Sequence, residues 1–255
     1  LSLFAGLSTT LGAVSVFIFK KDDTKIISLS MGFSAGVMLG VSIFELLPEA
    51  IASLEILLAG LFFLSGMILV ALLDFLIPHE YMHEHSCDED DTLANVKRNP
   101  NLMRTGLLVA VGIGIHNLPE GFVTITGSLH SLELGLILAI AIALHNIPEG
   151  LSVAIPIYAA SNNRRKAFVI SFISGLAEPI GAIIGLTVLL SLGVFSEEII
   201  VISLAFVAGI MTFISLDELL PTAHETCNEN GNDTHIVTGG ILTGMAVMLA
   251  TLIIL

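Results

Sequence analysis

Two six-residue clusters carry the chemistry of this chain: HNLPEG at 116–121 and HNIPEG at 145–150. His116 and Glu120 stand four residues apart, and Asn117 and Glu120 three apart, so on a helix the three side chains share one face. The same holds for His145, Asn146 and Glu149. Both clusters lie inside apolar runs, where a charged side chain at the centre of a bilayer costs roughly 2.5–3.5 kcal/mol on insertion scales. Two imidazoles and two carboxylates, His116, Glu120, His145 and Glu149, form a set that zinc accepts as a tetrahedron. Fe(II), Mn(II) and Co(II) accept the same donors in other geometries. The expectation is a pair of facing helices that hold a divalent metal ion between them. Asn117, Asn146 and Glu178 (in GLAEP, 175–179) extend this towards a second, oxygen-richer site that would share Glu120 and Glu149. A buried histidine satisfied by a hydrogen bond is the plainer account of either motif alone. It does not account for a matched pair.

Each cluster contains a proline, Pro119 or Pro148, within an apolar helical run. Proline removes one backbone hydrogen bond and crowds the carbonyl four residues back, here Ile115 and Leu144. At membrane depth such carbonyls need protein, water or an ion as partner. A kinked, wet site fits this pattern.

The elements that position these residues follow from composition. The chain has 255 residues, 55% hydrophobic and 13% charged, with a mean hydropathy of +0.95. Soluble domains carry about 25% charged residues, so an all-α integral membrane protein is expected. A β-barrel would need short alternating strands, which these runs lack. The net charge of −14 comes with only nine Lys and Arg, which form no basic face, and nucleic acid is excluded as a partner on that ground. Two cysteines, Cys87 and Cys227, are too few for a disulfide framework. No signal peptide is recognisable, since the chain opens at Leu1 already inside an apolar run, as a piece of a longer sequence would.

Eight spans are expected, at about 1–19, 27–50, 54–77, 104–127, 132–159, 167–192, 198–222 and 236–255, in one transmembrane domain over 1–255. The longest connection, at about 79–103, is acidic and rich in histidine. All nine basic residues (Lys20, Lys21, Lys25, Lys97, Arg98, Arg104, Arg164, Arg165 and Lys166) fall in odd-numbered connections or at their edges. Excess Lys and Arg marks the cytoplasmic side, which puts both termini outside. Twelve residues separate Arg104 from His116, about 18 Å of helix, and fourteen separate Arg164 from Glu178, about 21 Å. Both groups then sit near the middle of a hydrocarbon core about 30 Å thick. The same count puts Glu45 near the outer surface.

Span two ends in ELLPEA (45–50) and span seven in ELLPTA (218–223). Similar helices inserted in opposite senses point to an inverted repeat, an arrangement common in transporters with the substrate site at the repeat interface. Gly32, Gly36 and Gly40 recur every four residues in span two, a spacing that lets helices approach closely. Packing within one chain is the simpler reading, and a homodimer interface the alternative.

The stretches HNLPEG, ALHNIPEGLSVA, SGLAEPIGA and ELLPEA resemble the ZIP (Zrt/Irt-like) family of divalent metal transporters, in particular its bacterial ZupT-type branch. The resemblance covers essentially the whole chain. It implies eight helices in a 3+2+3 bundle with the outer triplets inverted relative to each other. It implies import of zinc and related ions (iron, manganese, cobalt or cadmium) into the cytoplasm across the bacterial inner membrane. By the family pattern the metal ligands are His116, Asn117, Glu120, His145, Asn146, Glu149 and Glu178. Some members carry an acidic residue where Asn146 stands, which alters the charge of a second site. Span two of the family also contributes a ligand, for which Met38 and Ser42 are candidates here.

Glu45 and Glu49 are placed to attract cations outside, and Asp217, Glu218, His224 and Glu225 to receive them inside. A solvated helix end is the plain alternative for these acids. Asp74 closes span three, as a snorkelling end residue or as part of the path. The tract HEYMHEHSCDEDD at 79–91, with His79, His83, His85 and Cys87, reads as a loose metal sensor or as a disordered acidic linker. The metal is cargo, and no cofactor is expected. Because metal displaces protons from its ligands, affinity should fall in acid. A carboxylate-lined channel and an intramembrane metalloenzyme are the rival readings. The second is disfavoured because HExxH is absent and both histidines are followed by Asn.

Overall fold

The computed structural model describes residues 1–18, 24–76, 100–130, 132–192, 197–229 and 234–254. The histidine- and acid-rich tract at 79–91 therefore lies outside the described residues, as do Lys20, Lys21, Lys97 and Arg98. Every regular element among the described residues is helical. In chain order, α1 is Ser2–Ala13, continued by a short turn at Ser15–Ile18, and α2 runs from Thr24 to Ser53. Next come α3 (Ile56–Leu76), α4 (Pro100–His130) and α5 (Leu132–Ser161). α6 comprises Arg164–Gly175 and Ala177–Leu192, with a jog at Leu176. α7 runs from Glu197 to Glu229 and α8 is His235–Ile254. Seven of these helices are long and apolar enough to cross a membrane, and Ser2–Ile18 is a shorter apolar helix. The chain is a helical, multi-pass membrane protein.

α2, α4, α5, α6 and α7 overrun the apolar windows read from sequence, whereas α1 and α3 stay within theirs. α4 starts four residues before 104 and ends three after 127. Hydropathy marks only the hydrocarbon portion, whereas the headgroup layers bring the full thickness to about 40–45 Å. Pro100 opens α4, where its missing N–H costs no hydrogen bond. Between α5 and α6, Asn162 adopts φ 54°, a left-handed conformation that Asn tolerates. Asn163 then caps α6 by accepting from the Lys166 N–H at 3.0 Å.

Two helices carry a π turn at matching places. In α2 it spans Ser42–Leu46, and in α7 Ile214–Leu219. The Leu47 N–H donates to the Ser42 carbonyl, five residues back, and the Leu220 N–H to that of Ser215. Pro48 and Pro221 come next in each case. Their rings crowd the carbonyl four residues back, so the ladder widens ahead of them. The likeness between these helices exceeds the ELLP stretch. Residues 33–50 and 206–223 share Phe33/Phe206, Ala35/Ala208, Gly36/Gly209, Met38/Met211, Ser42/Ser215 and Glu45/Glu218 at the same offsets.

Packing follows a reciprocal scheme: α8 lies on α2, α3 on α7, α1 on α5, α6 on α4, and α4 on α5. Glycines let these backbones touch. A Cβ on Gly121 of α4 would sit 1.9 Å from the Glu178 carbonyl oxygen of α6, and one on Gly150 of α5 1.8 Å from that of Thr9 in α1. Their counterparts Gly181 and Gly12 meet the Leu118 and Ile147 carbonyls at 2.1 and 2.0 Å. The same exchange joins Gly36 to Ile241 and Gly209 to Phe63, at 2.3 and 1.9 Å. Gly32 and Gly36 thus face α8, so their spacing serves close packing inside the chain.

Candidate metal site

α4 and α5 bring the two motifs face to face, and the pairing crosses between them. His116 Nε2 lies 3.0 Å from Glu149 Oε1, and His145 Nε2 lies 3.1 Å from Glu120 Oε1. All four residues are buried, His116 and Glu149 completely. Each histidine therefore meets the carboxylate of the other motif, not the one a turn away on its own helix. His116, Glu120 and Glu149 each offer a ligand atom within 4.8 Å of the others. His145 stands beside Glu120 at the edge of this trio.

The asparagines point to the flanking helices. Asn117 Nδ2 donates to the Ser174 carbonyl of α6 at 3.3 Å, and Asn146 Nδ2 to the Ala5 carbonyl of α1 at 3.1 Å. Asn146 also donates to Glu178 Oε2 at 3.0 Å, which brings the α6 carboxylate into the cluster. The jog at Leu176 precedes Glu178 by two residues, and Pro179 follows it. Pro179 stands in the first turn of the Ala177–Leu192 segment, where its missing N–H costs little, and Glu178 beside it is fully buried.

What remains unsatisfied defines the chemistry. Seven buried donor or acceptor atoms in this cluster have no hydrogen-bond partner: His116 Nδ1, Asn117 Oδ1, Glu120 Oε2, His145 Nδ1, Asn146 Oδ1, Glu149 Oε2 and Glu178 Oε1. Orphaned buried polar atoms are costly, of order 1–3 kcal/mol each and more when charged. Five of the seven are oxygens with free lone pairs, and the other two are imidazole nitrogens. A divalent cation is the species that satisfies such a set.

The other residues expected from sequence divide. Met38 is fully buried in the apolar core, and Ser42 is buried at the start of the π turn with its hydroxyl unpaired. Glu45 is half-buried. α2 continues to Ser53, eight residues or about 12 Å further, and Glu45 lies within electrostatic reach of His145 and Glu120. Asp217 and Glu218 gather with Asp74 of α3, within 4.8 Å of one another. His224 and Glu225 lie further along α7, beyond Pro221. Sequence reasoning missed the crossed pairing and the carbonyls of Ala5 and Ser174. It also missed Thr105, whose hydroxyl donates to Glu218 at 3.4 Å. The nearest signal was positional: 5 and 174 stand in matching places, one residue before Gly6 and Gly175.

The model of the ZIP zinc transporter family matches this chain over residues 1–106 and 81–252. The chain belongs to the ZIP family. Its similarity to other ZIP proteins runs end to end. It is 43% identical over 263 residues to the zinc transporter ZupT of Chlorobium chlorochromatii, covering all of this chain and 96% of that protein. It is 45% identical over 263 residues to the ZupT of Chlorobaculum parvum, with the same coverage. With the ZupT of Campylobacter jejuni it shares 42% over 284 residues, 99% of this chain and 94% of the relative. The crossed His–Glu pairs are thus the centre of a ZIP-family chain.

Proposed function

We propose that this chain is a carrier that brings divalent metal ions, zinc foremost, across the membrane into the cytoplasm through the His116/Glu120/His145/Glu149 site. One observation carries the reading: seven unpartnered donor and acceptor atoms, buried together on three helices that cross the membrane. The ZupT relatives named as zinc transporters support zinc as cargo. Iron, manganese, cobalt and cadmium are further cargoes that the N/O donor set admits. Arriving metal takes the place of the protons that now join His to Glu, and its charge offsets the desolvation of the carboxylates. Asn117, Asn146 and Glu178 hold a second ion, sharing Glu120 and Glu149.

Tight coordination at the midplane would trap an ion in a fixed pore, so the site alternates between the two faces. Two helix groups support such a motion. α1, α4, α5 and α6 are joined through backbone contacts at Gly6, Gly12, Gly121, Gly150 and Gly181, whereas α2 joins α8 at Gly36 and α7 joins α3 at Gly209, and α2 packs on α7 to make the second group. Across the boundary, contacts run through side chains: Ser34 of α2 donates to the Pro148 carbonyl at 2.8 Å, and Gly112 of α4 faces the Ile214 side chain. The groups move against each other with the metal carried by the first. The reciprocal glycines and the matched π turns support a 3+2+3 inverted repeat, in which α1–α3 correspond to α6–α8. The basic residues lie on the cytoplasmic side and both termini outside.

The test is uptake of zinc into sealed vesicles by the purified chain, across several divalent ions. Saturable uptake that His116→Ala abolishes is expected. Conductance at near-diffusive rates would replace the carrier by a channel, and vesicles that accumulate no zinc would overturn the function.

A further inference from the structure

Among the described residues, Arg104 makes ion pairs that bridge the two helix groups. Arg104, near the start of α4, donates through its guanidinium to the Asp74 carboxylate of α3. The same guanidinium stands 3.8 Å from Glu218 Oε1 of α7. Its neighbour Thr105 reinforces the join: the hydroxyl reaches Glu218 and lies 2.9 Å from that of Thr222. The Arg104 and Asp74 side chains are 18% and 21% exposed, and that of Glu218 only 4%. Arg104 belongs to the group that holds the His–Glu site. Asp74 and Glu218 belong to the other, and none of the three takes part in that site.

We propose that Arg104 is a latch between the two helix groups at the end of the bundle that carries the basic residues, and that it sets how often the site opens towards that end. The proposal rests on the two-group motion described above. For α4 to slide past α3 and α7, the guanidinium must leave both carboxylates, and Thr105 must leave Glu218 and Thr222. Glu218 is then left buried without its counter-charge, and separating such a pair is unfavourable whichever partner departs. The closed arrangement is thereby favoured until something else supplies positive charge beside Asp74, Asp217 and Glu218. Three carboxylates with ligand atoms within 4.8 Å make the latch stronger than one pair, because the cation offsets their mutual repulsion as well. The glycine contacts inside each group have no such switchable element, so the boundary yields before the groups do.

The test reads the distance between spin labels at Leu72→Cys on α3 and Val169→Cys on α6, both exposed positions, with Cys87 and Cys227 replaced by Ala. Two distance populations are expected. Arg104→Gln should raise the ratio of the separated to the closed population by about fivefold or more, the modest figure suiting a pair partly screened by solvent. Asp74→Asn should do the same, and the double variant should go no further than either single change. Arg104→Lys, which keeps the charge and loses the planar fork, should shift the ratio less. An unchanged ratio in both Arg104→Gln and Asp74→Asn, or fully additive shifts in the double variant, overturns the latch. If the labelled parent still takes up zinc, the carrier then stands without it. A single distance in every variant, with and without zinc, overturns the two-group motion and the latch together.

Discussion

α1 and α6 flank the candidate metal site in the same way and contribute different chemistry. Both carry the pattern Gly-Leu, four residues, Gly-Ala: Gly6, Leu7, Gly12 and Ala13 in one, Gly175, Leu176, Gly181 and Ala182 in the other. Both lend a carbonyl to an asparagine of the facing motif, Ala5 to Asn146 and Ser174 to Asn117. Both receive a motif glycine against a carbonyl, at Thr9 and at Glu178. Those last two positions correspond, and there the likeness stops. α6 supplies a buried carboxylate, bonded to Asn146. α1 supplies a threonine whose buried hydroxyl has no partner. The backbone contacts match on the two sides and the charge is one-sided. Close packing requires small residues wherever the helices cross, on both sides. A metal needs only as many oxygens as its coordination demands, and these can come from one side.

Removing a residue of the crossed pairs should do the most damage, since it reaches the part the two sides share. His116→Ala and Glu149→Ala should each lower metal affinity by about 100-fold or more, beyond the 10–100-fold cost of losing an outer partner. Equilibrium binding of zinc to detergent-solubilised protein measures this, with insertion checked by membrane fractionation. Wild-type affinity in both would remove the site. Glu178→Thr, which makes α6 resemble α1, tests the one-sided charge. It should lower the number of ions bound, or their affinity, by about tenfold, while zinc at the His–Glu pairs persists. Loss of all binding would mean that Glu178 belongs to the first site and not to a second.

Much of this was legible in the sequence because membrane chemistry exaggerates its signals. Apolar runs located the helices, and HNLPEG and HNIPEG located the buried His–Glu cluster, since buried charge in lipid demands a partner. The crossed pairing was not legible. Spacing along one helix puts His116 beside Glu120, and only the approach of α5 makes Glu149 the nearer carboxylate. Glu45 read as an entrance group, and its reach to His145 and Glu120 comes from α2 packing beside α5, which its spacing from Lys25 does not encode. Arg104 read as a topological marker at a helix start. Its bridge to Asp74 and Glu218 depends on helices far away in sequence, which no local pattern encodes. The glycines read as a packing stripe in α2, and their partners emerged only with the contacts.

The smallest expected effects test the frame itself. Gly121→Ala and Gly150→Ala would each drive a Cβ to within 2 Å of a carbonyl oxygen, at Glu178 and at Thr9, so backbone must shift in both. If the frame is two-fold, the two variants should be destabilised alike, by about 1–3 kcal/mol, read as matching losses of thermal stability in detergent. Unequal losses would show that one crossing is more tightly held than its counterpart. Gly60 of α3 supplies the control. A Cβ there meets nothing within 4 Å, so Gly60→Ala should leave stability unchanged or raise it by about 0.5–1 kcal/mol, the difference between the two residues inside a helix. A loss at Gly60 as large as at Gly121 would mean that the glycines act through helix propensity and not through contact, and the matched crossings would cease to explain them.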